Sequence, residues 1–157
     1  MKFKRSMLTM AIAAVGLAGS AYAQDYSLNP TFGSVSLSAG FTPDPHRVSL
    51  RSGGSLRASN VDSGCSGYIA NAPDYRLDYD SGSLPLIISV DSNADTTLVI
   101  NGPNGAWYCN DDGGESGLNP MVRLEKPMSG QYDIWVGTYG SESTEAATLH
   151  ISELHSQ

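Results

Sequence analysis

The stretch from Asp95 to Asp112 constrains the fold more than any other, because an aspartate-led apolar run, a Pro-Asn-Gly turn, an aromatic run and an acidic loop follow in direct succession. Leu98 and Ile100 alternate with Thr97 and Val99, the two-residue period of a strand. Asn104-Gly105 supplies the positive-φ residues of a tight hairpin, and Ala106 to Asn110 is the return strand. Comparable runs recur at Phe32–Ser38, Arg47–Ser52, Ser55–Asn60, Tyr75–Tyr79, Leu84–Val90, Met121–Leu124, Tyr132–Val136 and Thr148–Ser152. They read as strands, punctuated by Gly53-Gly54, Ser81-Gly82, Asn101-Gly102, Asp112-Gly113-Gly114 and Ser129-Gly130. No stretch sustains a helical apolar period. The expected fold is all-β, a two-sheet antiparallel β-sandwich of jelly-roll-like character, with a closed β-barrel as the alternative.

Alternation also assigns faces. Leu84, Leu86, Ile88 and Val90 share one side of a strand, as do Tyr132, Ile134 and Val136, and these belong in the core. Trp135 falls on the opposite face, with Gly137 and Tyr139. There it either builds an aromatic platform at the surface or covers another rim of the core and touches a disulfide.

Lys2, Lys4 and Arg5 precede an uncharged apolar run from Met7 to Ala18 and the small-residue pattern Ala21-Tyr22-Ala23, which reads as a secretory signal peptide over residues 1–23. Cleavage there leaves residues 24–157 as a single domain, and no second apolar segment predicts a membrane span. It also removes three basic residues and none of the sixteen acidic ones, taking the net charge from −7 to −10. A chain that acidic repels phosphate backbones and anionic lipid, which excludes nucleic acid as a partner class. The expected compartment is periplasmic or secreted. Cys65 and Cys109 are the only cysteines. An even pair in an exported chain predicts a disulfide, and no Cys-x-x-Cys spacing favours a redox pair.

The succession Asp95-Thr96-Thr97-Leu98, Gly102-Pro103-Asn104-Gly105, Asn110-Asp111-Asp112 and Ser129-Gly130-Gln131-Tyr132-Asp133-Ile134-Trp135-Val136-Gly137 resembles the bacterial pre-peptidase C-terminal domain. The resemblance runs from Pro85 to Glu153 and implies a β-sandwich that acts as a non-catalytic module beside secreted proteases. Related collagen-binding modules use calcium to stiffen a similar sandwich. Stand-alone exported proteins with segments like Cys65-Ser66-Gly67-Tyr68-Ile69 are sometimes labelled serine peptidases. The residues here oppose that label. Only His46, His150 and His155 are available as a base, none in a recognisable arrangement with a serine. Asp62-Ser63-Gly64 lacks the flanking glycines of a protease nucleophile motif and reads as a turn.

For metal binding, Asp95, Asn110, Asp111 and Asp112 form the candidate set. Calcium takes carboxylate, amide and carbonyl oxygens from a bendable loop, and hairpin pairing brings Asp95 toward Asn110–Asp112. The alternative for the same residues is Asx turns that cap backbone groups. Three functional readings follow: a module that binds a protein or polysaccharide through Trp107, Tyr108, Trp135 or Tyr139; a structural subunit of the cell envelope; and a peptidase-associated protein or hydrolase. Asp78 and Asp80, which share a strand face, are the carboxylate pair nearest to the third.

Overall fold

The computed structural model describes residues 24–115 and 117–157; the signal-peptide segment expected at 1–23 lies outside them. Two open sheets face each other across one apolar core, and neither closes on itself, which replaces the barrel alternative with the sandwich.

The larger sheet, sheet A, is organised around β10 (Gly130–Thr138). One side of β10 pairs with β7 (Thr96–Asn101), which pairs in turn with β8 (Trp107–Asn110). Its other side pairs first with β5 (Tyr75–Asp80) and then, at Thr138, with β4 (Tyr68–Ile69). β3 (Leu56–Arg57) extends β4, and β1 (Ser34–Ser38) lies against β5. The β1–β5 pair is parallel, a departure from the all-antiparallel expectation. It arises because the chain crosses to the other sheet between the two strands. Sheet B runs β2 (His46–Arg51), β11 (Ala146–Ser152), β6 (Leu86–Asp91), β9 (Met121–Leu124). The edge strands β1, β2, β8 and β9 are four to six residues long, which leaves little backbone for edge-to-edge association.

The core is built as alternation requires. Leu77, Leu98, Ile100, Tyr132, Ile134 and Val136 from sheet A meet Leu86, Ile88, Val90, Leu149 and Ile151 from sheet B, all fully buried. Leu84 departs from the expected set and is 41% exposed, because it precedes Pro85 and β6 begins only at Leu86. The Asn104-Gly105 hairpin also differs in kind from the expectation. Only Gly105 has positive φ, and the Gly105 N–H donates to the Gly102 carbonyl at 2.9 Å. Pro103, with its fixed negative φ, occupies the first central position of that turn, which rules out the mirror-image geometry. The C-terminal tail is likewise tied down. Gln157 N donates to Ser89 Oγ at 3.1 Å and Glu115 N to the Gln157 carbonyl at 2.9 Å, so the tail lies on the outer face of sheet B.

Val136 of β10 pairs with Leu98 of β7, but on the side shared by β5 and β4 it has no strand partner. Asp74 fills the gap. Its N–H donates to the Ile134 carbonyl at 2.8 Å, its Oδ2 accepts the Val136 N–H at 2.7 Å, and Gly53 N donates to the Val136 carbonyl at 2.8 Å. The backbone groups are thereby satisfied, but a carboxylate is buried at 2% exposure. Burial pushes its carboxyl up to about 7, against the smaller opposing pull of the Val136 N–H. With the folded pKa above the unfolded value, the native state holds the proton longer, so this group costs stability as pH climbs from the unfolded carboxyl range to about 7. Asn keeps the acceptor oxygen without the charge. Asp74→Asn is therefore expected to stabilise the protein by on the order of 2 kcal/mol at pH 8, with the gain vanishing near pH 4, in urea unfolding at the two pH values.

Candidate functional site

The face of sheet A turned away from the core carries its own chemistry, because every second residue of β10, β7 and β8 points there. Trp135, Val99 and Cys109 stand opposite one another in register and form the first row. A segment running through β3, a 3-10 turn at Ala58–Asn60 and the loop to Cys65 lies over them. Ala58, Cys65 and Ile69 pack on Val99 and Trp135 as a second apolar cluster, with Val61 and Trp107 at its margin. The Cys65–Cys109 disulfide ties this flap to β8, with Cα atoms 5.2 Å apart. Trp135 is thus fully buried and offers no surface to a ligand, which corrects the platform reading. Its ring sits 5.6 Å from that of Trp107, tilted by 44°.

The next row lies just past the flap. Arg76 of β5, Asp133 of β10, Asn101 of β7 and Trp107 of β8 are successive register partners across four strands. Asp133, Asn101 and Trp107 of this row floor a groove of about 670 Å³, bounded by Tyr26, the hairpin at Gly102, Pro103 and Gly105, and the Ser129–Gln131 stretch. Asp133 Oδ1 accepts Arg76 Nε at 2.6 Å and its Oδ2 accepts Gln131 Nε2 at 2.7 Å, so the only carboxylate of the groove is paired. The same guanidinium donates to the carbonyls of Tyr26 at 2.7 Å and Leu28 at 3.0 Å. Arg76 therefore holds the Tyr26 wall in place while neutralising the floor. Tyr26 is 55% exposed.

Of the four aromatic candidates, only Trp107 belongs to this groove. Tyr108 points inward and packs against the core. Tyr139, 50% exposed, borders a separate hollow with Tyr68, whose ring carries the Arg57 guanidinium 5.0 Å from its centroid. Alternation missed Tyr26, Asn101, Gln131 and Asp133. The available signal was that Gln131 and Asp133 share a face with Trp135, and that Asn101 and Trp107 flank the same hairpin.

The acidic corner is assembled only in part. Burial raises the Asp95 carboxyl, with Asp112 and Asp111 contributing smaller like-charge effects, which places the three acids near one another. Asp95 Oδ1 is buried with no partner among the described residues. Asn110 is committed elsewhere: its Oδ1 accepts Gly113 N at 2.6 Å and Met121 N at 3.1 Å, the capping role of an Asx side chain. Among the described residues no three His, Cys, Asp or Glu side chains are placed to hold a metal ion.

The histidines have other surroundings. His46 Nε2 lies 3.1 Å from the Tyr75 hydroxyl. His150 is 4% exposed, and neither of its ring nitrogens has a partner among the described residues. Burial lowers its pKa, with Arg47 adding to the effect and Asp91 opposing it. Asp78 and Asp80 are exposed on β5, where Asp80 Oδ1 accepts the Ser129 hydroxyl at 3.4 Å.

No protein-family model matches the chain, and no curated protein sequence matches it. One solved structure aligned with it is that of Aeromonas hydrophila PliG, a periplasmic lysozyme inhibitor of g-type lysozyme. It is 16% identical, with 76% of this chain and 96% of that chain covered and a TM-score of 0.38. A likeness that slight carries no conclusion about ligand or partner.

Proposed function

We propose that this chain is an exported, non-catalytic β-sandwich module that recognises a protein or polymer through the groove on the outer face of sheet A. The carrying observation is the groove floored by Asp133, Asn101 and Trp107 beyond the end of the disulfide-tied flap, with Tyr26 in its wall and the Tyr26 carbonyl held by Arg76. Concave sites with a few fixed polar groups beside aromatic walls are the usual form of a binding site. The disulfide supports export, since such bonds persist in oxidising compartments. The surroundings of the histidines support a non-catalytic role. Among the described residues no carboxylate is hydrogen-bonded to His46, whose Nε2 faces the Tyr75 hydroxyl, and both ring nitrogens of the buried His150 lack a partner. The resemblance to pre-peptidase C-terminal modules is a reading of the same kind.

A retention assay tests this. The immobilised, oxidised protein is expected to retain envelope material, and the Tyr26→Ala/Gln131→Ala double variant to lose about tenfold of that retention. Both side chains are exposed, and Gln131→Ala also removes the donor to Asp133 Oδ2. Equal retention by the variant removes the groove from the function.

A further inference from the structure

The groove's lining is specific enough to name a ligand class, an inference that rests on the groove being the recognition site. Its floor is polar but uncharged in sum, because Asp133 is paired with Arg76 and also accepts from Gln131. A cation would have to compete with that ion pair. An anion would approach a chain of net charge −7 with no unpaired basic residue lining the groove. A stable protein–protein interface takes about 20–30 residues on each side, and ten residues line the groove. The exposed aliphatic side chains Leu28, Leu84, Leu118, Met128 and Leu154 are not among those that line the groove, so they do not enlarge it into such a surface.

The remaining inventory is two aromatic side chains, Tyr26 and Trp107, with the amides of Asn101 and Gln131 and the Ser129 hydroxyl. Amides and hydroxyls both donate and accept, which matches a ligand whose surface is dense in hydroxyl groups. Aromatic faces match a ligand that also presents flat, apolar C–H surfaces. Neutral sugars combine these two properties. Asn101 and Asp133 are 8% and 2% exposed, and Asn101 Nδ2 donates to the Gly105 carbonyl at 3.3 Å, so the floor is fixed before any ligand arrives. The volume of about 670 Å³ lies inside the range of small-ligand and oligomer sites.

We propose that the groove between Tyr26 and Trp107 binds a neutral oligosaccharide, its rings lying against the two aromatic side chains and its hydroxyls meeting the amides of Asn101 and Gln131.

Cellotetraose, chitotetraose and maltotetraose are the probes, with tetragalacturonate as the anionic control. Binding to the oxidised full domain is read by calorimetry and by tryptophan fluorescence. Trp107 lines the groove whereas Trp135, the second of two tryptophans, is buried. The expected result is saturable binding of at least one neutral probe, none of the control, and a Kd raised about tenfold by Tyr26→Ala at unchanged melting temperature and by Gln131→Ala, which also lowers the melting temperature by removing the donor to the buried Asp133 Oδ2. Trp107→Phe is expected to abolish the fluorescence change while leaving measurable heat. Binding that survives Tyr26→Ala and Gln131→Ala undiminished overturns the site. Absence of binding by every neutral probe at millimolar concentration overturns the ligand class. The two failures are separable: if no sugar binds but retention of envelope material still depends on Tyr26 and Gln131, the recognition groove stands and only its saccharide assignment falls.

Discussion

Removal of the Cys65–Cys109 disulfide is expected to lower the free energy of unfolding by about 4 kcal/mol. The bridge closes a loop of sequence separation 44, and the chain-entropy model assigns a stabilisation of that size to such a loop. Its local consequence follows from how little else holds the flap. β3 and β4 are two residues each, and the 3-10 turn between Ala58 and Asn60 has no side-chain cap. Its backbone bonds, Ala58 N to the Gly67 carbonyl and Cys65 N to the Asp62 carbonyl, both 3.0 Å, are local, and its one strand pairing reaches sheet A through the two residues of β4. The disulfide is the covalent tie to β8 and keeps Trp135 covered. Urea unfolding of the parent and of Cys65→Ser/Cys109→Ser, followed by tryptophan emission, measures the loss. A deficit below about 1 kcal/mol would mean that packing of Ala58 and Ile69 on Val99 and Trp135 holds the flap without the bond.

Trp135→Ala is expected to cost about 3–5 kcal/mol, the usual range for emptying a large buried aromatic site. Trp135 is fully buried, stands in register with Val99, and packs beside Trp107 and the disulfide. Phe is expected to cost far less. The indole Nε1 is buried without a partner among the described residues, so losing that N–H removes an unsatisfied donor while most of the apolar contact stays. Thermal and urea unfolding of both variants give the two numbers, and their ordering is the sharper test. Alanine and phenylalanine variants of equal stability would show that the second cluster contributes little packing energy. Because Trp135 and the disulfide share one contact network, their combined loss is expected to be smaller than the sum of the single losses.

The fold and the candidate groove differ in how far they could be read from residues alone. The β7–β8 hairpin was legible because alternation and the Pro-Asn-Gly turn act over a few neighbours. The core faces of β6 and β10 were legible for the same reason: a two-residue period commits each side chain to a side of its strand. The cysteine pair was legible from count and compartment. β4 was missed because two residues carry no period, and the role of Asp74 was missed because the gap it fills exists only once β5 and β4 share one side of β10. Alternation put Trp135 on the outer face of its strand but did not say whether that face was covered. The flap that covers it comes from the segment before Cys65, far along the chain.

Sequence by itself therefore determined the class of fold, the strands that turn back on themselves, the faces of the longer strands and the cysteine pair, all of which follow from local sterics, side-chain period and compartment chemistry. Tertiary structure alone decided the groove. Arg76, Asp133, Asn101 and Trp107 become one row only through the register of β5, β10, β7 and β8, and Tyr26 joins them only through the Arg76 guanidinium. The physical reason is that register between strands distant in sequence is set by the summed packing of the whole sandwich, which no single stretch of the chain encodes.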